Sequence, residues 1–162
     1  MAVDIVRVDY RDPKQGADLV TLLDTYARDP MGGGTPLSDD LRADLLPRLA
    51  ALSNAFSMIA YDDDTPVGLA NCFTGFSTFA ARPLVNIHDL VVDSAHRSKG
   101  IGRALFASIE ALAAEMGACK VTLEVLSGNQ PAKALYRSLG YGDYQLDPES
   151  GHALFWQKRL AT

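Results

Sequence analysis

The segment that most constrains this chain runs from Val85 to Tyr141. An apolar run, V-N-I-H-D-L-V-V, leads into a basic, glycine-bearing turn, R-S-K-G-I-G-R, from Arg97 to Arg103. Ile101, Leu105, Ile109, Leu112 and Met116 then recur at helical spacing, and Gly117 closes that stripe. A second apolar run, V-T-L-E-V, precedes N-Q-P-A-K-A-L-Y-R-S-L-G-Y, from Asn129 to Tyr141. A strand that passes through glycines into a helix presents unpaired N–H groups and the positive end of the helix dipole, which together bind phosphate. Gly100 and Gly102 lack a Cβ, so a diphosphate can approach the main chain. Arg97, Lys99 and Arg103 make the turn locally positive in a chain whose net charge is −5. The spacing is neither a P-loop, which needs Gly-Lys-Ser/Thr, nor the three-glycine dinucleotide fingerprint.

The closing helix carries a second signal. Asn129 suits an N-cap, Pro131 is tolerated in the first turn, and Gly140 is a natural stop. Asn129 and Tyr136 lie about two turns apart, so an amide and a phenol share one helix face. R-S-K-G-I-G resembles the R/Q-x-x-G-x-G/A motif of the GNAT superfamily of N-acetyltransferases, and N-Q-P-A-K-A-L-Y-R-S-L-G-Y resembles the N-x-x-A-x-x-L-Y-x-x-x-G-F/Y motif that follows it. From I-H-D-L-V-V onward the chain is also similar to the spermidine/spermine (diamine) acetyltransferase group. The resemblance implies acetyl-CoA as cosubstrate and no metal. It implies that main-chain groups of Leu90, Val91 and Val92 take the pantetheine arm. Arg97, Ser98, Lys99, Gly100, Ile101, Gly102 and Arg103 take the pyrophosphate, and Asn129, Ala132, Lys133 and Tyr136 complete the coenzyme site.

The remaining chain reads as strands at Val3 to Val8, Ala55 to Tyr61, Val67 to Phe79 (with Gly68 and Gly75 as bend points), Val85 to Val92, Val121 to Val125, Tyr141 to Leu146 and His152 to Arg159. Helices are expected over Pro13 to Arg28 and after Ser38, the latter interrupted or bent near Pro47. The expected fold is therefore α/β (α+β): one domain over 1–162 with a mixed, mostly antiparallel, seven-stranded sheet flanked by about four helices. The resemblance adds a splayed central strand pair. Asp62, Asp63 and Asp64 read as a solvated hairpin tip rather than a metal site. In the resembled family the region between the first two helices lines the acceptor site. Met31, Gly32, Gly33, Gly34 and Thr35 are thus a candidate substrate loop, the plain alternative being a flexible connector.

An acidic balance, with pI about 5.0, argues against nucleic acid. Cys72 and Cys119 show no metal spacing and read as reduced cytoplasmic thiols. The first residues carry charges where a signal peptide needs an apolar run, and no segment approaches a membrane helix.

Acetyl transfer to nitrogen needs a base, because an amine near pKa 10.4 is protonated at neutral pH. His88 stands where the polyamine-acetylating group carries glutamate. Glu124 matches the glutamate of the ribosomal-protein alanine acetyltransferases. Strict strand alternation sends Asp89 to the face opposite His88. The resemblance makes Tyr136 the acid that protonates the leaving thiolate. The expected function is acetyl transfer from acetyl-CoA to an amine, foremost a small-molecule amine or amino acid. Acetylation of a protein N-terminus or lysine, and a non-catalytic acyl-CoA-binding or sensor domain, remain alternatives. A homodimer is compatible with the family pattern.

Overall fold

A computed structural model describes residues 3–161. The chain forms two compact units, one ending at Leu123 and the other beginning at Glu124.

The first unit is built on one sheet with strand order β1-β2-β3-β4-β5: β1 (Asp4–Arg7), β2 (Ala55–Asp62), β3 (Thr65–Ser77), β4 (Arg82–Val92) and β5 (Val121–Leu123). The first four strands pair antiparallel, and β5 joins β4 in parallel. Helices cover both faces, as a two-sided apolar sheet requires. On one face lies α1 (Pro13–Arg28), started by Asp12, whose side chain accepts the Gln15 N–H. Its Leu19 and Leu22 bury against Val8, Ile59, Tyr61, Leu69 and Val91. α2 (Asp39–Ala50) is capped by Ser38 and packs on α1 where Gly16 meets Leu46. Pro47 does not interrupt α2: the helix runs through it to Ala50, although proline lacks the N–H that would bond the Ala43 carbonyl.

On the opposite face lies α3 (Ile101–Glu115), which buries Ile101, Leu105, Phe106, Ile109 and Ala113. A Cβ on Gly68 would stand 3.0 Å from Ile101 Cγ2 and 3.2 Å from Leu105 Cδ1. Gly68 is therefore the seat on which α3 rests, rather than a bend made by the glycine itself. The local irregularity lies next to it, where Ala60 pairs Gly68 but Tyr61 pairs Pro66, leaving Val67 unmatched.

A second irregularity interrupts β4. Asn71 pairs Asp89 while Cys72 pairs Ile87, so His88 is the extra residue of a β-bulge. The β4–β5 ladder covers Val85, Ile87 and the residue between them, and β4 runs on past it to Val92.

The second unit holds α4 (Gln130–Ser138). Asn129 Oδ1 accepts the Ala132 N–H at 3.3 Å. Gly140, at φ +91°, turns the chain out of the helix, and the Tyr141 N–H returns to the Tyr136 carbonyl. The expected strands at Tyr141 to Leu146 and His152 to Arg159 are not present as strands. Among the described residues the sheet has five strands, not seven. The Ala153 N–H donates to the Tyr144 carbonyl at 2.9 Å, but neither segment forms a strand ladder. Among the described residues no helix is long and apolar enough to cross a membrane.

Candidate active site

The glycine turn after β4 has the geometry of an anion cradle. Ser98 takes φ +63° and Gly100 takes φ +84°, so two left-handed residues bend the chain into α3. Gly100 is the N-cap of α3 and supplies no side-chain cap, which leaves the first-turn N–H groups to a ligand or solvent. A Cβ at Gly100 would meet nothing within 4 Å; its backbone conformation, not crowding, demands glycine. Arg97, Ser98, Lys99, Gly100 and Arg103 are exposed around this turn, whereas Ile101 and Gly102 are buried beneath it. The turn is braced from behind. His96 Nδ1 lies 2.7 Å from Asp93 Oδ2, and the Asp93 N–H donates to the Val67 carbonyl at 2.9 Å. Leu90, Val91 and Val92 lead into the turn, and the Val91 side chain is sunk in the core under α1.

Arg97 reaches away from the turn. Its Nε donates to the Val92 carbonyl at 3.3 Å and its Nη2 donates to Asp29 Oδ2 at 3.3 Å. Asp29 in turn shapes the candidate substrate loop. Its Oδ1 accepts the Met31 N–H, and its carbonyl accepts those of Gly32 and Gly34. The Met31 N–H, and after it the Arg97 guanidinium, hold the Asp29 carboxyl below its ordinary range. Gly33 and Gly34 take φ +115° and +78°, and the Thr35 N–H bonds the Ala27 carbonyl. The loop is thus a pinned structure rather than a loose connector. A Cβ on Gly32 would stand 1.9 Å from the Tyr26 carbonyl, so only glycine fits there.

The bulge changes which side chains face α1. His88 packs edge-on against Phe73, with ring centroids 5.6 Å apart, and Asn71 Nδ2 donates to Asp89 Oδ2 at 3.0 Å. Phe73 and Asn71 alternate to the same face of β3. His88 and Asp89 therefore share that face, which corrects the expectation that Asp89 points the other way. A chain of hydrogen bonds ends on Asp89. Tyr10 Oη lies 2.9 Å from Ser57 Oγ, and Ser57 Oγ donates to Asn71 Oδ1 at 2.6 Å. Because the single Ser57 proton goes to Asn71, the Tyr10 hydroxyl is the donor to Ser57. Ser57 and Asn71 are buried polar groups of the sheet, at 0% and 5% exposure. Burial, and then the Asp89 and Asp29 charges, raise the Tyr26 phenol. Burial, and then Asp89, push the Cys72 thiol up to about 12.

The hydrogen-bonded set of Asp89, Asn71, Ser57 and Tyr10 is a candidate part of the site that sequence reasoning passed over. Period-two alternation has no register for an inserted residue. The available signal was N-I-H-D, with two polar residues adjacent in an otherwise apolar strand. Glu124 is not on β5, which ends at Leu123; it opens the second unit. Asn129, Ala132, Lys133 and Tyr136 also belong to that unit. There Asn129 caps α4 and Lys133 Nζ donates to the Ser127 carbonyl at 3.1 Å.

Residues 8–141 match the model of the acetyltransferase (GNAT) family. The chain belongs to this family. The matched span carries the glycine turn, both faces of the sheet and α4. The chain is 36% identical over 91 residues to the streptothricin acetyltransferase of Streptomyces lavendulae, a match covering 51% of this chain and 48% of that protein. It is 39% identical over 62 residues to an uncharacterized protein of Mycobacterium leprae, covering 38% and 16%. The chain thus matches at most about half the length of these curated relatives. An aminoglycoside acetyltransferase from an uncultured soil metagenomic sample, crystallised with trehalose, superposes with TM-score 0.76 at 20% identity over 97% of each chain. AAC(6')-Iy in complex with the bisubstrate analog CoA-S-monomethyl-acetylneamine superposes with TM-score 0.75 at 17% identity, over 99% and 100% of the chains. Ribosomal-protein-alanine N-acetyltransferase from Brucella melitensis superposes with TM-score 0.69 at 21% identity, over 90% and 99%. At these identities the structural likenesses establish the GNAT fold.

Proposed function

We propose that this protein, as a single catalytic domain, transfers the acetyl group of acetyl-CoA to the amine of a small molecule. The observation that carries the reading is the uncapped, glycine-led start of α3, with Lys99 and Arg103 beside it, directly after the bulged strand. The uncapped first turn and the positive charge beside it suit a pyrophosphate. The main chain of Leu90, Val91 and Val92 then takes the pantetheine arm, and Asn129, Ala132, Lys133 and Tyr136 the rest of the coenzyme. The acceptor nitrogen attacks the thioester carbonyl, the C–S bond breaks, and the nitrogen loses a proton. His88 or Glu124 takes that proton, and Tyr136 gives one to the departing sulfur. The loop from Met31 to Thr35 borders the acceptor. The likeness to a streptothricin acetyltransferase and to an aminoglycoside acetyltransferase favours a cationic, antibiotic-like amine over the polyamines of the diamine acetyltransferase group. The substitution of histidine for that group's glutamate at His88 points the same way.

The test is release of coenzyme A thiol from acetyl-CoA across a panel containing streptothricin, an aminoglycoside, a linear diamine, amino acids and a lysine peptide. Turnover with a small-molecule amine is expected. Tight acetyl-CoA binding without turnover of any amine would instead identify an acyl-CoA sensor. Cys72 is 1% exposed and will not react with the thiol reagent, so background arises from Cys119 alone.

A further inference from the structure

The Tyr10–Ser57–Asn71 chain is an expensive feature of an otherwise apolar sheet. Buried hydroxyl and amide groups cost free energy unless fully hydrogen-bonded, and an aliphatic replacement would satisfy the fold more simply. Here the chain links β2 to β3 and ends on the Asp89 carboxylate, next to the bulge. Each bond fixes the next. Tyr10 donates to Ser57, Ser57 donates to the Asn71 carbonyl oxygen, and that bond decides which end of the amide meets β4. The Asn71 NH₂ must then face Asp89, and it engages Oδ2. Asp89 itself is half-buried, one residue past the bulge. His88 shares the face. Tyr26 lies within the field of both Asp89 and Asp29, which joins this carboxylate to the glycine loop.

We propose that Asn71, oriented by Ser57 and Tyr10, is a positioning residue that aims the Asp89 carboxylate at the acceptor, and that Asp89 sets specificity by holding a cationic nitrogen of the substrate. The proposal rests on the amine-acceptor reading given above. Without the bulge Asp89 would face α3. With the bulge but without Asn71, its carboxylate would be free to rotate.

The test combines steady-state kinetics with calorimetric binding of the same amine panel, using Asp89→Asn, Asn71→Ala and Ser57→Ala, with a thermal melt of each. Asp89→Asn is expected to raise KM for the amine about tenfold, in line with loss of a charged hydrogen bond, while KM for acetyl-CoA stays within twofold. Asn71→Ala and Ser57→Ala should move the same constant in the same direction by smaller factors. In the Asp89→Asn background, Asn71→Ala should add nothing further, because it acts only through that carboxylate. Additive effects, or variants that lower the melting temperature with amine KM unchanged, would overturn the proposal and leave the acetyltransferase reading intact. Amine binding that is sensitive to Asp89→Asn, without turnover in the wild type, would support the carboxylate site and sink the transferase reading. A wild type that neither binds nor acetylates any amine of the panel would overturn both.

Discussion

Tyr136 and His88 carry the sharpest predictions at the scale of the residue. Tyr136→Phe removes one oxygen from α4 and is expected to lower kcat by about 10²-fold, the range of general-acid catalysis, with little change in acetyl-CoA affinity. Equal turnover would end that assignment. His88→Ala should shift or abolish the acidic limb of the pH–rate profile; an unaltered profile would move the base role to Glu124. His88 and Asp89 also show where the sequence stops being readable. Their identities were visible, but the faces they occupy depend on a bulge set by how β3 and β4 pair, a long-range event that no local pattern encodes. Asn71 and Ser57 were hidden for the same reason, since each acquires its meaning from a partner on another strand.

Among the elements, α3 was legible almost to the residue, because an apolar stripe, a glycine start and a glycine stop all agree. α1 and the Asn129 cap of α4 were legible likewise. The last two strands were not, because alternation in Tyr141 to Leu146 and His152 to Arg159 describes a surface, while a strand is defined by its ladder. The seating of α3 supplies a prediction. Gly68→Ala places a methyl against Ile101 and Leu105 and should destabilise the protein by about 1–3 kcal/mol, as overpacking does. An unchanged denaturation midpoint would show that α3 is seated elsewhere.

Across the larger unit, α1, α2 and the chain between them are tied by one carboxylate. Asp24 accepts from Arg28 Nε, from the Leu37 N–H and from Arg42. The Arg28 hydrogen bond first, then the Leu37 N–H, lower its pKa to about 2. A carboxyl depressed on folding stabilises the protein above its unfolded pKa, near 3.9, and loses that contribution as pH falls through the folded value. Acid unfolding should therefore steepen between about pH 4 and pH 2, and Asp24→Asn should flatten that part of the curve. A variant as acid-sensitive as the wild type would assign the transition to other groups.

The central claim is that the main chain from Arg97 to Arg103 clasps the pyrophosphate of acetyl-CoA. Calorimetric titration of acetyl-CoA into the wild type and Gly100→Ala tests it most directly, because alanine disfavours the φ of +84° that opens the cradle. One bound equivalent in the wild type, with affinity weakened about tenfold or more in the variant, is the expected result, a strain of 1–2 kcal/mol being enough. No heat in the wild type, or equal affinity in the two proteins, would contradict the account.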